Sequence, residues 1–265
     1  MIKVEEVDNV LAIKCGNEIN GRVLYWTTLY YYKNLVIDTG CPHTAHEIKD
    51  FFLNKAVKAI LITHYHEDHC GGAHVFKQPV YAPKKSLEIL RNPPKIPRYR
   101  QIVWGQPKPV HAKPLKNRME FEDVTVTVIE TPGHSFDHVS FLIDEKLFSG
   151  DLVMTKRQMI CMREEDYIAT INSLKKVLKF KFDKAYGGTL ILTREKVEEY
   201  LNYLLELKER AEELYSEGKT IKEIVNILFP NVPQMVYLME TFSGLEWSRE
   251  NFIRSLLASK QVKRH

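Results

Sequence analysis

The sequence contains no run of 18 apolar residues, which excludes a continuous membrane-spanning helix. Its first residues, Met1-Ile-Lys-Val-Glu-Glu-Val-Asp8, put acids where a signal peptide carries its apolar core, so a cytoplasmic protein is expected. Only four cysteines occur, Cys15, Cys41, Cys70 and Cys161, with no C-x-x-C pair, which argues against a disulfide framework. There is no fixed-period repeat, no phosphate-binding loop and no dinucleotide fingerprint. A large excess of one charge is also missing. The net charge is +4, from 38 basic and 34 acidic residues, too small a surplus to argue for nucleic acid.

What is present describes a folded enzyme-sized chain. Its 265 residues suit one substantial domain, or one plus an appendage, and 44% apolar content is too high for disorder. The first third reads as strands: 2–7 and 10–14 around an Asp8-Asn9 turn, then 23–32, then 35–37 after Lys33-Asn34. Thr44 with Glu47 fits a capping box opening a helix to about Leu53, and 57–63 reads as a short apolar strand. Strands are expected at 79–82, 124–130 and near 182–186, with a hairpin over 138–143 and 146–149. A helical period runs through Tyr167, Ile168, Ile171, Leu174 and Leu178. Mixed strands and helices over about 190 residues suggest a sheet protein with its site at strand ends.

Two segments stand apart. Residues 91–118 hold six prolines and eight Lys/Arg with no acid, a long basic loop that reads either as a solvated connection or as a substrate wall attracting anions. From Thr193 an apolar stripe marks a long helix ending at Gly218. Thr220-Ile-Lys-Glu223 is a second capping box, Pro230 and Pro233 break the next helix, and 248–258 reads as the last. The expected organisation is a main domain over 1–192 and a helical segment over 193–265.

Chemistry concentrates after the strand 59–63, in His64-Tyr-His66-Glu-Asp68-His69-Cys-Gly-Gly72. Side chains two apart on extended backbone point the same way, so His64 and His66 can share one metal, with Asp68 and His69 aimed at a neighbouring position. A packing role fails here, because several imidazoles and a carboxylate would need burial without partners. The zinc-protease pattern H-E-x-x-H is excluded, since its second histidine would fall on Cys70. Thr131-Pro-Gly-His134-Ser and Ser149-Gly150-Asp151 add a histidine and a carboxylate, each just after a strand.

Together with Asp38-Thr39-Gly40, these motifs resemble the metallo-β-lactamase superfamily, in its glyoxalase II-like (hydroxyacylglutathione hydrolase-like) branch, over roughly residues 4–190. The resemblance implies an α+β fold, an αββα sandwich with two metals at one edge of its sheets, and a helical tail bordering the substrate site. By the resemblance, His64, His66 and His134 would hold the first metal, Asp68 and His69 the second, and Asp151 would bridge them. The family's further histidine is replaced here: the matching position is Gly188, and beyond Asp151 the only histidine is His265. Site two would then keep Asp68, His69 and Asp151, three protein ligands, the usual count at catalytic zinc. One or two zinc ions are expected, with iron or manganese open at the second site. His43 and His46 could compensate, or be surface residues; His74 and His138 read as supporting or packing residues.

The reaction this implies is hydrolysis, with metal-activated hydroxide attacking an ester, thioester or lactone carbonyl. Asp68 would orient the nucleophile and pass a proton, with Cys70 and Tyr186 flanking the site. The substrate would be a small molecule, anionic if the basic loop recognises it. Three alternatives stay open: a one-iron persulfide dioxygenase using His64, His134 and Asp151, a metal-dependent phosphodiesterase or nuclease, and a degenerate metal-binding protein without turnover. A homo-oligomer is equally open, because the long helix could pack on its own domain or on a partner chain.

Overall fold

Asp8 and Asn9 both take positive φ, 52° and 63°, the backbone of a two-residue hairpin turn whose twist matches its strands. They join strands Ile2–Val7 and Val10–Cys15, with Val7 opposite Val10. The same device recurs at Lys33-Asn34 and Asp144-Glu145, although none of the three turns contains glycine. The computed structural model describes residues 1–122 and 124–258; His265 lies outside them.

Strands Ile2–Val7, Val10–Cys15, Thr27–Tyr32, Leu35–Ile37, Ala59–Leu61, Val80–Ala82 and Lys113–Pro114 lie side by side in that order in a seven-stranded sheet. Arg118–Phe121, Val124–Glu130, Val139–Ile143, Lys146–Gly150, Lys184–Gly187 and Ile191–Thr193 form a six-stranded one. The inner faces pack together through Tyr30, Tyr32 and Leu61 from one sheet and Phe141, Phe148 and Tyr186 from the other. Helix Ala45–Phe52 covers the outer face of the first sheet. Helices Tyr167–Val177, Arg194–Ser216, Ile221–Leu228 and Arg249–Leu256 cover the second. Four layers result, the αββα sandwich of an α+β protein, with C-terminal helices.

Several local expectations change. Thr44 is not a side-chain cap: the chain enters its helix through a tight turn, Pro42–Thr44, and the Thr44 hydroxyl donates to the Cys41 carbonyl instead. The strand expected over 23–32 is Thr27–Tyr32, preceded by a small hairpin of Glu18–Ile19 and Arg22–Val23. The basic segment 91–118 is not simply a loop. It contains helix Arg98–Val103 and an edge strand, Lys113–Pro114. In the tail, the Thr220–Glu223 capping box is complete and Gly218 takes φ +84° beyond the long helix. Among the described residues no helix is long and apolar enough to cross a membrane.

Five strands direct their C-terminal ends to one edge of the sandwich. Leu35–Ile37 runs into Asp38, Ala59–Leu61 into the histidine cluster, Val124–Glu130 towards His134, Lys146–Gly150 into Asp151, and Lys184–Gly187 into Gly188. That edge carries the site.

Candidate metal centre

Three imidazole nitrogens meet at one point. His64 Nε2 lies 3.1 Å from His66 Nδ1, which lies 2.9 Å from His134 Nε2. Nitrogens bound tetrahedrally to one zinc at about 2.0–2.1 Å would stand roughly 3.3 Å apart, so only a small expansion separates this arrangement from a ligand set. Asp151 divides its oxygens: Oδ2 lies 3.6 Å from His134 Nε2, and Oδ1 3.2 Å from His69 Nε2. Asp68 Oδ2 is 3.7 Å from the same His69 nitrogen. All six residues picked out in the sequence are therefore gathered here, all buried, and His64, His66 and His134 form one ligand-like group while His64, His69 and Asp151 form another.

The second nitrogen of each ring faces an oxygen. Thr63 Oγ1 lies 2.9 Å from His64 Nδ1, Glu164 Oε1 3.3 Å from His66 Nε2, Asp38 Oδ2 2.7 Å from His69 Nδ1, and Glu165 Oε2 3.3 Å from His134 Nδ1. Such outer partners fix ring orientation and raise ligand basicity at metal centres. Asp38 also accepts from the Thr63 backbone N–H and hydroxyl, which ties the ends of two neighbouring strands to His69. His138 supports Asp151 rather than joining it: its Nε2 accepts the Asp151 backbone N–H at 3.0 Å.

The charges fit a cation. Burial and the neighbouring imidazoles hold His64 and His66 well below the usual histidine range, so both are neutral and have lone pairs to offer. Burial opposes a charge on His69, but the carboxylates of Asp151, Asp68 and Asp38 outweigh it and raise its pKa. Burial would raise Asp151 too, yet His69 and His134 hold it below the ordinary carboxylate range. Burial pushes Asp68 up to about 6. Without a metal, the cluster balances its carboxylates with protons on imidazoles; metal binding would exchange those protons for a cation. The orphaned atoms agree, since His69 Nε2 and Asp151 Oδ1 are buried and make no hydrogen bond. The residues present fit a metal.

Other expected residues fall elsewhere. Tyr186 stacks on Phe148 between the sheets and gives its hydroxyl to Asp8, away from the ligands, while Cys70 lies beside His69 with its thiol committed to the Tyr65 carbonyl. His43 faces the Gln101 carbonyl and His46 is exposed beside Asp50; neither completes a metal site. His74 is half-buried on the Gly71 carbonyl, and His111 is exposed. Gly188 does lie at the second group: a Cβ there would stand 2.2 Å from Asp151 Oδ1 and 2.8 Å from His69 Cε1. Sequence reasoning missed Glu164 and Glu165, adjacent acids before a helix whose only visible signal is their charge. It also missed Tyr25, half-buried edge-on to Trp104 at 5.6 Å, whose phenol burial and the carboxylates of Asp151, Asp68 and Glu165 push up.

Part of the basic segment faces a cavity beside the motif rather than the gathered residues themselves. Lys95, Lys108 and Arg100 line a cavity of about 160 Å³ with Tyr65, Glu67 and Cys70, and none of the six gathered residues lines it.

A two-sheet sandwich with this cluster at its strand ends has known relatives. The sequence profile of the metallo-beta-lactamase superfamily matches residues 31–189, and the chain belongs to that superfamily. A protein named beta-lactamase-like protein 2 homolog from Drosophila melanogaster is 25% identical over 220 residues, covering 77% of this chain and 73% of its own length. The Caenorhabditis elegans protein of the same name is 24% identical over 256 residues, covering 89% and 81%. Among solved structures, a metallo-beta-lactamase family protein from Thermus thermophilus superposes with a TM-score of 0.66 at 18% identity, covering 96% of this chain and 94% of that one. These matches support the superfamily rather than its glyoxalase II-like branch in particular.

Proposed function

We propose that the protein is a two-metal hydrolase acting on an ester, thioester or lactone carbonyl, in the manner of the glyoxalase II-like branch. The carrying observation is the division of Asp151, one oxygen towards the three-histidine group and the other towards His69. His64, His66 and His134 would hold the first ion, Asp68 and His69 the second, with Asp151 between them and zinc as the expected metal. Bound zinc supplies a nucleophile by lowering the pKa of water towards 7 and polarises the carbonyl under attack. Asp68, buried beside His69, would orient the attacking water and could pass its proton to the leaving group. Asp38, Glu164 and Glu165 keep the rings aimed.

The test is metal content by elemental analysis after growth with zinc, iron and manganese, followed by a thioester and lactone panel. About two ions per chain, mostly zinc, with turnover abolished in His66→Ala, is the expected result. One iron per chain would favour the persulfide dioxygenase instead, and no retained metal would overturn both readings.

A further inference from the structure

Arg100 belongs to the basic segment, yet its guanidinium is buried against the metal motif. Nε donates to Glu67 Oε1 at 2.6 Å and Nη2 to Glu67 Oε2 at 2.7 Å, a bidentate pair with both side chains buried. Nη1 reaches Glu246 Oε1 at 3.3 Å, in the C-terminal tail, and Met162 Sδ at 3.9 Å. One side chain thus joins the proline-rich segment, the tail and the metal motif. Glu67 stands between His66 and Asp68 and opens the four-residue helix Glu67–Cys70. A single turn of helix has too few internal bonds to fix its own orientation, and His66 at its N-cap makes no side-chain capping bond. What holds the turn must act from outside it. Asp38 does so on the His69 ring, Thr39 on the His69 carbonyl through its N–H (2.7 Å) and hydroxyl (2.9 Å), and Arg100 on the side chain of Glu67, the turn's first residue.

We infer that Arg100 is a positioning residue for the second metal: its fork fixes Glu67, and through the Glu67–Cys70 turn it aims Asp68 and His69 at Asp151 Oδ1. The inference rests on the two-metal reading. The first site depends on it less, because His64 and His134 lie outside the turn. A planar fork is required, since lysine supplies a point charge that cannot span both Glu67 oxygens.

The test is cobalt(II) titration of the full chain, followed by calorimetry and visible spectra. His69→Ala identifies the second binding step and His134→Ala the first. Removing Arg100 alone leaves Glu67 buried and uncompensated and can unfold the protein, so the variants are Arg100→Lys and the double replacement Arg100→Met with Glu67→Met. Melting of the metal-free variants confirms that they fold. The expected result is a first step close to wild type and a second step weakened about 10-fold or more, the range for lost outer partners of metal ligands. A second step equal to wild type, or both steps weakened alike, overturns the inference while leaving two metals standing. A single step in the wild type itself removes the two-metal reading and the inference with it.

Discussion

Gly188 shows how one missing side chain shapes the site. Its backbone is pinned, with N–H on the Gly150 carbonyl at 3.0 Å and its carbonyl accepting from Thr28 at 2.7 Å. A Cβ would therefore be driven into Asp151 Oδ1, the oxygen facing His69, rather than away from it. Gly188→His, the substitution that would restore the family's usual residue, should lower the metal bound per chain rather than raise it. Elemental analysis decides, and a gain of metal would show that Asp151 and His69 can move aside. Asp38 invites the complementary change. It sits at φ +59°, which asparagine tolerates, and Asp38→Asn exchanges one acceptor oxygen for an amide while His69 and Thr63 still need acceptors. We expect the fold to persist and metal affinity to fall about 10- to 100-fold, measured by competition with a chromophoric chelator. The proposed ligands were legible in the sequence because they fall in short motifs that follow strands. Glu164 and Glu165 were not, since only the folded chain brings those acids to His66 and His134.

At the level of elements, turn and cap chemistry was readable where local bonds decide and misleading where the neighbouring chain decides. Thr220 and Glu223 make both capping bonds, whereas Thr44 and Glu47, with the same spacing, do not because the Cys41 carbonyl takes the Thr44 hydroxyl. Helix Gln234–Phe242 is the clearest case of an element fixed by something other than an apolar core, for none of its residues is fully buried. Its anchor is Glu240, which accepts from Arg249 at the backbone N–H (2.9 Å), Nε (3.0 Å) and Nη2 (2.8 Å), while the guanidinium lies over Tyr237. Burial would raise Glu240, but Arg249 outweighs it and holds the carboxyl below its usual value. Because the folded pKa is depressed, the pair's stabilisation is complete above the unfolded value of about 4.3 and is lost as pH falls through the lower folded value. Arg249→Met should speed amide exchange across 234–242 and remove that acid-side loss. The buried residues Phe252, Ile253 and Leu256 should keep helix Arg249–Leu256 protected, and equal loosening of both helices would disprove the anchor.

On the scale of the whole molecule, the question is whether the helical tail is an appendage or a layer. The outer face of the second sheet and helix Tyr167–Val177 share one apolar cluster with the tail. Leu147, Ala185, Leu174 and Val177 pack there with Val197, Leu204, Ile224, Phe252 and Leu256, all buried. Ser255 adds polar ties, accepting the Tyr167 backbone N–H at 2.7 Å and donating to the Glu165 carbonyl at 2.8 Å. The residue that faces His134 is thus held in place by the last helix. Removing the tail would uncover a continuous apolar face that water cannot solvate without cost. We therefore expect residues 1–192 alone to be insoluble or to lack cooperative unfolding, and the full chain to melt in a single transition seen alike by far-ultraviolet circular dichroism and by tryptophan fluorescence. Both probes sample the tail, through its helices and Trp247, and the main domain, through its sheets and Trp26 and Trp104. Two separated transitions, or a soluble 1–192 fragment that binds metal as the full chain does, would instead make the tail an independent unit, and the Ser255–Glu165 contact would then contribute nothing to the site.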